Sequence, residues 1–480
     1  MTPRLPARVA LFAAAAALIT TWLIPHPRAA AQGRAPGDRP NIILIFADDM
    51  GYGDVGAYGH PTIRTPHIDA LAAEGQRWTQ FYTAASVCTP SRAGLLTGRL
   101  PIRYGMSGTR RVLFPDSSLG LPPEEITMAE ALEARGYATG MVGKWHLGHL
   151  PAFLPTANGF DSYFGIPYSN DMDRVPSLGP GGQAGVKDPR SEYFNVPLMR
   201  NASIIERPAN QTTLTQRYTQ EAVSYIRGQK GGPFFLYLAH SMPHVPLFRS
   251  EAFAGRSARG LYGDVIEELD WSVGQIVSTL RAEGLADNTI LFFTSDNGPW
   301  LSYSEQGGSA GLLRAGKGTT WEGGMRVPFV AWWPGRILPA VVTAPGTTMD
   351  LYATAIRLAG GTLPADRPLD GYDIQPLLLG TGVSARDAVF YWRQRELYAV
   401  RQGAWKAHFI SEGAYGQFGG KTVHETPELY QLEHDPSEKF NVADAHPDVV
   451  ARLKKVAADH LATVAPYPSR LEARIDAPGQ

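Results

Sequence analysis

Three short runs of consecutive apolar residues constrain this chain more than any other feature. They are Ile42-Ile43-Leu44-Ile45-Phe46, Phe234-Phe235-Leu236-Tyr237-Leu238 and Ile290-Leu291-Phe292-Phe293. A strand with one wet face alternates apolar and polar residues, whereas an unbroken apolar strand is buried on both faces, as in the centre of a parallel sheet. Segments with helical signals lie between the runs. Thr65-Pro66 opens a helix through Ile68, Leu71 and Ala72 that stops at Gly75. Thr127 and Glu130 form a capping box before Ala131, Leu132 and Ala134, with Gly136 as the stop. Thr139 to Val142 is β-like, and Leu214 to Ile226 and Tyr262 to Leu280 read as amphipathic helices. Strand, helix and strand at this spacing predict an α/β fold with a predominantly parallel sheet between helices. After about Gly380 the texture changes. Val389 to Trp392, Leu397 to Val400 and Lys406 to Phe409 are closely spaced and predict a small antiparallel sheet, closed by a helix near Pro447 to Val464. The Pro/Gly-rich stretch Pro176 to Gly185 reads as a loop.

The 480 residues are 44% apolar and 19% charged, which excludes global disorder. Lys and Arg total 44 against 45 for Asp and Glu, so no basic excess marks a nucleic-acid binder. The single cysteine, Cys88, excludes both an intrachain disulfide framework and a thiolate zinc cluster. At the amino end, Arg4 and Arg8 precede an apolar run from Val9 to Ile24, at about 16 residues shorter than a spanning helix needs. Pro25 and Pro27 break it, and Ala29-Ala30-Ala31 offers a small-residue cleavage site. We read residues 1–31 as a signal peptide and expect an exported protein, periplasmic or secreted, without a membrane anchor. An exported chain with one thiol is unusual, because oxidising compartments favour paired cysteines.

Ligands of open α/β sheets bind beyond the carboxyl ends of the strands, and polar residues gather there. Asp48 and Asp49 follow the first apolar run; Asp296 and Asn297 follow the third. Either pair alone could simply cap a turn. Together they are hard oxygen donors, suited to Ca²⁺ or Mg²⁺ rather than zinc. Cys88-Thr89-Pro90-Ser91-Arg92 places Cys88 at a helix amino end, where the dipole and Arg92 are expected to stabilise an anion or a thiolate. Lys144 and His146, then His240 and His244, follow β-like segments, and Lys317 sits in Gly316-Lys317-Gly318. A divalent metal, cationic anchors and proton-moving histidines suit cleavage of a phosphate or a sulfate ester. The residue types alone leave those two tied.

Cys88-Thr89-Pro90-Ser91-Arg92 with Leu95-Leu96-Thr97-Gly98-Arg99 resembles the signature of the sulfatase family, in which the cysteine is oxidised to formylglycine. Asp48-Asp49-Met50-Gly51, Gly143 to Gly148, Thr294 to Gly298 and Gly316-Lys317-Gly318 with Glu322-Gly323-Gly324 resemble further blocks of that family, in the expected order. Gly165 to Ser169 and Leu429-Tyr430 to Glu438 resemble the arylsulfatase A and N-acetylgalactosamine-6-sulfatase branch. The resemblance implies an alkaline-phosphatase-like fold, with a catalytic domain over 38–380 and a smaller antiparallel-sheet domain over 381–470. It implies that Asp48, Asp49, Asp296, Asn297 and the modified Cys88 hold one Ca²⁺. Cys88 as a formylglycine hydrate would be the nucleophile on an aryl or sugar sulfate, after maturation by a formylglycine-generating enzyme. Arg92, Lys144, Ser169, His244 and Lys317 would grip sulfate or the diol. His244 or Lys317 would protonate the leaving oxygen, and His146 would take a proton from the second hydroxyl to expel sulfate. His240 matches the family histidine less well than His244 and is set aside. The alternatives are a phosphoester or phosphonate hydrolase on the same fold, and a catalytically silent binder of sulfated glycans. Asn201 and Asn210 begin glycosylation sequons.

Overall fold

The strand Asn41–Ala47 is buried along its whole length, as its sequence predicts. It pairs in parallel with Phe234–Ala239 on one side and Thr289–Ser295 on the other. In the computed structural model, which describes residues 39–179, 182–229 and 231–475, these strands form the middle of an eleven-stranded mixed sheet. Ala138–Gly143 and Ser162–Gly165 extend it in parallel beyond Phe234–Ala239. Arg326–Trp332 joins the other side antiparallel, followed by Gln76–Tyr82. The signal peptide expected over 1–31 lies outside the described residues. Among those described, no helix is long and apolar enough to cross a membrane.

Helices cover both faces. Pro66–Glu74 is bounded by Thr65 and Gly75 as anticipated, although the Thr65 side chain makes no cap bond. Thr127 and Glu130 make both bonds of the capping box for Met128–Glu133. That helix ends three residues before Gly136, the expected stop. The long amphipathic helices span Leu214–Gly228 and Leu261–Ala282. Part of the stretch read as a loop over Pro176 to Gly185 is instead the start of a short helix, Gly182–Lys187. Gln76–Tyr82 carried no clear signal because a bulge between Trp78 and Phe81 interrupts its alternation.

The carboxyl-terminal region is a four-stranded antiparallel sheet against the helix Pro447–Leu461. Its fourth strand, Thr422–Gln431, is a polar edge strand containing Pro427, which hides it from an apolar-run reading. A buried ionic network ties this sheet to the main body. Lys406 Nζ lies 3.0 Å from Glu322 Oε1 and 2.9 Å from Glu438 Oε1, and His408 Nε2 lies 2.8 Å from the same Glu438 oxygen. Tyr82 and Tyr391 donate their hydroxyls to Glu322, each at 2.7 Å. Burial alone would raise the Glu322 carboxyl, but Lys406, Arg401 and Arg326 outweigh it and hold it well below the usual range. Removing one member of such a network leaves an uncompensated buried charge. Lys406→Met is therefore expected to lower unfolding free energy by about 3–5 kcal/mol, read from the denaturant midpoint. A loss below about 1 kcal/mol would mean that water or rearrangement replaces the ammonium.

Candidate active site

The strands bring their carboxyl ends to one place, so the dispersed polar residues converge there. Asp48 and Asp49 leave Asn41–Ala47, and Asp296 and Asn297 leave Thr289–Ser295, its parallel neighbour. Two backbone features make this packing possible. Asp49 adopts φ 67°, a left-handed turn that aspartate tolerates better than most residues. Gly298 lies so close to the next segment that a Cβ there would sit 1.8 Å from the Gly323 carbonyl oxygen. That contact is the physical link between Asp296-Asn297-Gly298 and Glu322-Gly323-Gly324.

Cys88 is the first residue of the helix Cys88–Thr97, and its Sγ lies 3.5 Å from Asp48 Oδ1. Ligand atoms of Asp48, Asp49, Cys88 and His244 all fall within 4.8 Å of one another. Lys144 Nζ donates to Asp48 Oδ2 at 2.6 Å and to Ser169 Oγ at 3.1 Å. Lys317 Nζ donates to Asp49 Oδ2 at 2.8 Å. The His244 Nε2 is 3.4 Å from Ser169 Oγ and 3.7 Å from Asp49 Oδ2. Every sequence-derived site residue is buried, and all but His146 belong to this cluster or bond a member of it.

Two expectations change with the geometry. Thiolate stabilisation was anticipated at Cys88, yet burial pushes its thiol well above the usual range. Lys144 and Lys317 offset only part of that, while Asp296 and Asp48 add to it. Cys88 does open a helix, but burial outweighs the nearby cations. Arg92 was expected to grip sulfate or the diol. Its Nε and Nη2 instead donate to Asp296 Oδ2 at 3.1 and 3.0 Å, and Nη1 donates to the Lys144 carbonyl at 2.8 Å. Arg92 is fully buried here, and its Nη2 is also 3.5 Å from Asp48 Oδ1.

The electrostatics separate the carboxylates. Burial raises Asp48, but Lys144, His244 and Arg92 together bring it well below the usual range. Burial pushes Asp296 up to about 7, helped by the charges of Asp48 and Asp49. Burial alone would lower Lys144 and Lys317, yet Asp48 and Asp49 respectively hold both ammonium groups above their ordinary values. Burial and the neighbouring lysines depress His146 and His244 far below 6.5, so both are neutral at neutral pH. Their ring protons are directed by the backbone. His146 Nε2 faces the Leu113 carbonyl at 2.9 Å, leaving Nδ1 buried without a partner. His244 Nδ1 faces the Val245 carbonyl at 2.5 Å, turning Nε2 toward the cluster. His240, set aside in the sequence, bonds Ser272 at 3.2 Å within the helical layer.

Three residues nearby were not anticipated. The Trp300 ring lies 4.2 Å from Lys317 Nζ and 5.3 Å from the His244 ring. Tyr415 packs on Trp300 at 4.7 Å, and Asp171 lies beside Ser169, its carboxyl raised by burial. Trp300 could have been found by its place two residues after Gly298. Tyr415 could not, because it arrives from the carboxyl-terminal sheet.

A fold with strand-end acids, a buried cysteine at a helix start and paired lysines defines a class, and comparison with known proteins agrees. The chain belongs to the sulfatase family, whose profile matches residues 40–361; a profile of the C-terminal region of aryl-sulfatase matches 384–478. It is an enzyme of sulfate ester hydrolysis. More particularly, it is 46% identical to human (Homo sapiens) arylsulfatase A over 453 residues, 89% of each chain. It is 41% identical to the N-acetylgalactosamine-6-sulfatase of Canis lupus familiaris over 467 residues, 89% of this chain and 87% of that one. The crystal structure of the PsFucS1 sulfatase from Pseudoalteromonas sp. superposes with a TM-score of 0.79 at 29% identity, covering 90% and 92% of the two chains.

Proposed function

We propose that this chain cleaves aryl or sugar sulfate monoesters, with Cys88 matured to formylglycine and one Ca²⁺ at the strand ends. The observation that carries this reading is the convergence of Cys88, Asp48, Asp49 and His244 within 4.8 Å. The donor chemistry fits the ion: Asp48, Asp49 and Asp296 offer carboxylates, and Asn297 Oδ1 is buried with no hydrogen-bond partner. Asn297 Nδ2 is occupied, donating to Asp49 Oδ1 at 2.7 Å, so its oxygen is the free end. Asp48, Asp49, Asp296, Asn297 and position 88 would hold the ion. When bound, it supplies positive charge that favours ionisation of the attacking hydroxyl at position 88.

The side chains perform the rest. Lys144, Lys317, His244 and Ser169 form the polar wall that receives sulfate oxygens, and fixed positive charge there opposes the charge developing in the transition state. Three carboxyl groups face Arg92, Lys144 and Lys317 and largely offset them, and a bound divalent cation would make the cluster attractive to an anion. Lys317, protonated at neutral pH and donating to Asp49 Oδ2, is the candidate to protonate the leaving oxygen, because neutral His244, with Nδ1 on the Val245 carbonyl, turns an unprotonated Nε2 toward the site. His146 Nδ1 is the unengaged acceptor for the second hydroxyl's proton. Arg92 positions Asp296 and acts through it. The catalytic part over 38–380, the smaller domain over 381–470, export to the periplasm or medium, and maturation by a formylglycine-generating enzyme belong to the same proposal.

Peptide mass spectrometry of active protein is the direct test. The Cys88 peptide should carry an aldehyde in place of the thiol, and an unmodified thiol in fully active enzyme refutes the mechanism. The histidines also predict a pH profile. A base whose pKa is lowered stays neutral to lower pH, so activity is retained below its ordinary value and lost only as pH falls through the depressed one. The acid limb of kcat/KM should therefore lie below pH 6.5. An acid limb above 6.5 would remove His146 from its assigned role.

A further inference from the structure

We infer that Arg111 and Arg393 form a second oxyanion subsite beside the reaction centre, so that the preferred substrate carries another carboxylate or sulfate near the scissile one. This rests on the sulfatase reading above and adds the class of ester.

Arg393, on the strand Ala388–Arg393, is 5% exposed. Its Nη1 donates to the Glu412 and Gly413 carbonyls, each at 3.0 Å, but Nε and Nη2 are buried with no partner. Buried guanidinium groups elsewhere are differently served: Arg92 has Asp296, Arg99 has Glu125 and Arg386 has Asp350. Among the described residues, the acid paired with Arg393 is Glu412, which stands 3.3 Å from Nη1 and also accepts the Tyr398 hydroxyl at 2.6 Å. Arg111 adds like charge instead of compensation. Burial first, then Arg111, depresses the Arg393 guanidinium.

Both arginines line one narrow cleft with Val87, Pro90, Ser107 and Gly318. Val87 and Pro90 bracket the nucleophile position in sequence, and Gly318 follows Lys317. A Cβ on Gly318 would stand 3.3 Å from Arg111 Nη1, so the guanidinium lies against the lysine's own turn. Arg111 is held at φ 67°, an uncommon conformation for arginine, with its charge 5.3 Å from the Tyr415 ring centre. Both arginines line one cleft, and Arg393 Nε and Nη2, closed off from solvent and unpaired, are donors that a second anion entering it would satisfy through charge-assisted bonds. Tyr415 carries the Arg111 charge and Trp300, 4.7 Å from it, carries Lys317 Nζ at 4.2 Å, so the two rings connect the arginine to the reaction-centre lysine.

The test compares matched esters: 4-nitrophenyl sulfate, hexosamine monosulfates, and the same sugars bearing a second sulfate or a linked uronate. Wild-type enzyme should favour two-anion esters by about tenfold or more in kcat/KM, and Arg111→Gln should cut that preference about tenfold. Arg111→Lys should restore part of it. An unchanged ratio, or equal loss on every ester, overturns the subsite, since a merely structural arginine would not alter selectivity. Calorimetry with a disulfated sugar on Cys88→Ala protein, with and without Arg111→Gln, reads the subsite without turnover. Absence of sulfate release from any ester by wild type would refute the sulfatase proposal alone, whereas equal affinities in calorimetry would refute the subsite alone.

Discussion

Cys88→Ala is expected to abolish sulfate release, with a loss on the order of 10⁴-fold or more in kcat, because a nucleophile acts as a unit with its proton-transfer partners. The thiol contributes little to packing that alanine cannot supply. Its one polar contact is the 3.5 Å approach to Asp48 Oδ1, and the helix Cys88–Thr97 takes no cap bond from a side chain. The fold should therefore survive, and Tm should change by only a few degrees. Cys88→Ser is the more informative partner. A single hydroxyl can accept sulfate but has no second hydroxyl from which His146 can take a proton. Serine should thus give at most one equivalent of released alcohol, seen as a burst without turnover. Steady turnover by the serine variant, even at one-tenth of the wild-type rate, would show that the second hydroxyl is not needed.

Exhaustive chelation is expected to lower activity by about 10²-fold or more and to lower stability as well. An ion at a hundred times its Kd stabilises the folded state by about 2.7 kcal/mol, so removal should lower Tm by several degrees. The expected response of this site has a sign that can be checked. Asp48 and Asp49 are already paired with Lys144 and Lys317, and Arg92 braces Asp296. These cations keep the acidic cluster from repelling itself, so chelation should weaken the protein without unfolding it. Calcium should restore both activity and Tm. Full activity and unchanged Tm after chelation would remove the ion from the proposal.

Apart from Cys88 and Lys317, which their own local motifs mark, the legible residues of the site follow strands that the sequence announces. Asp48-Asp49 and Asp296-Asn297 could be placed together because parallel neighbours bring their carboxyl ends to the same edge. Lys144 and His244 follow for the same reason, from Ala138–Gly143 and Phe234–Ala239. Less legible were contacts that cross layers. Glu322 stands in a glycine-rich block that reads like part of the site. In the fold its carboxylate faces Lys406, Tyr82 and Tyr391 and secures the small sheet. Arg92, read from the resemblance as a grip on sulfate or the diol, faces Asp296 and the Lys144 carbonyl in the fold. Arg393 and Tyr415 reach the site from strands and loops some three hundred residues after Cys88, where no local pattern marks them.

The amino-acid order alone established the α/β architecture, the positions of the strand-end acids and the helix start at Cys88. Period, turn chemistry and capping act over a few residues, so they can be read from a few residues. Which acceptor each cation faces, how strongly burial opposes ionisation of the Cys88 thiol, and which arginine keeps unpaired N–H groups were decided by packing. Those quantities depend on desolvation and on partners distant along the chain, and they exist only once the layers have closed.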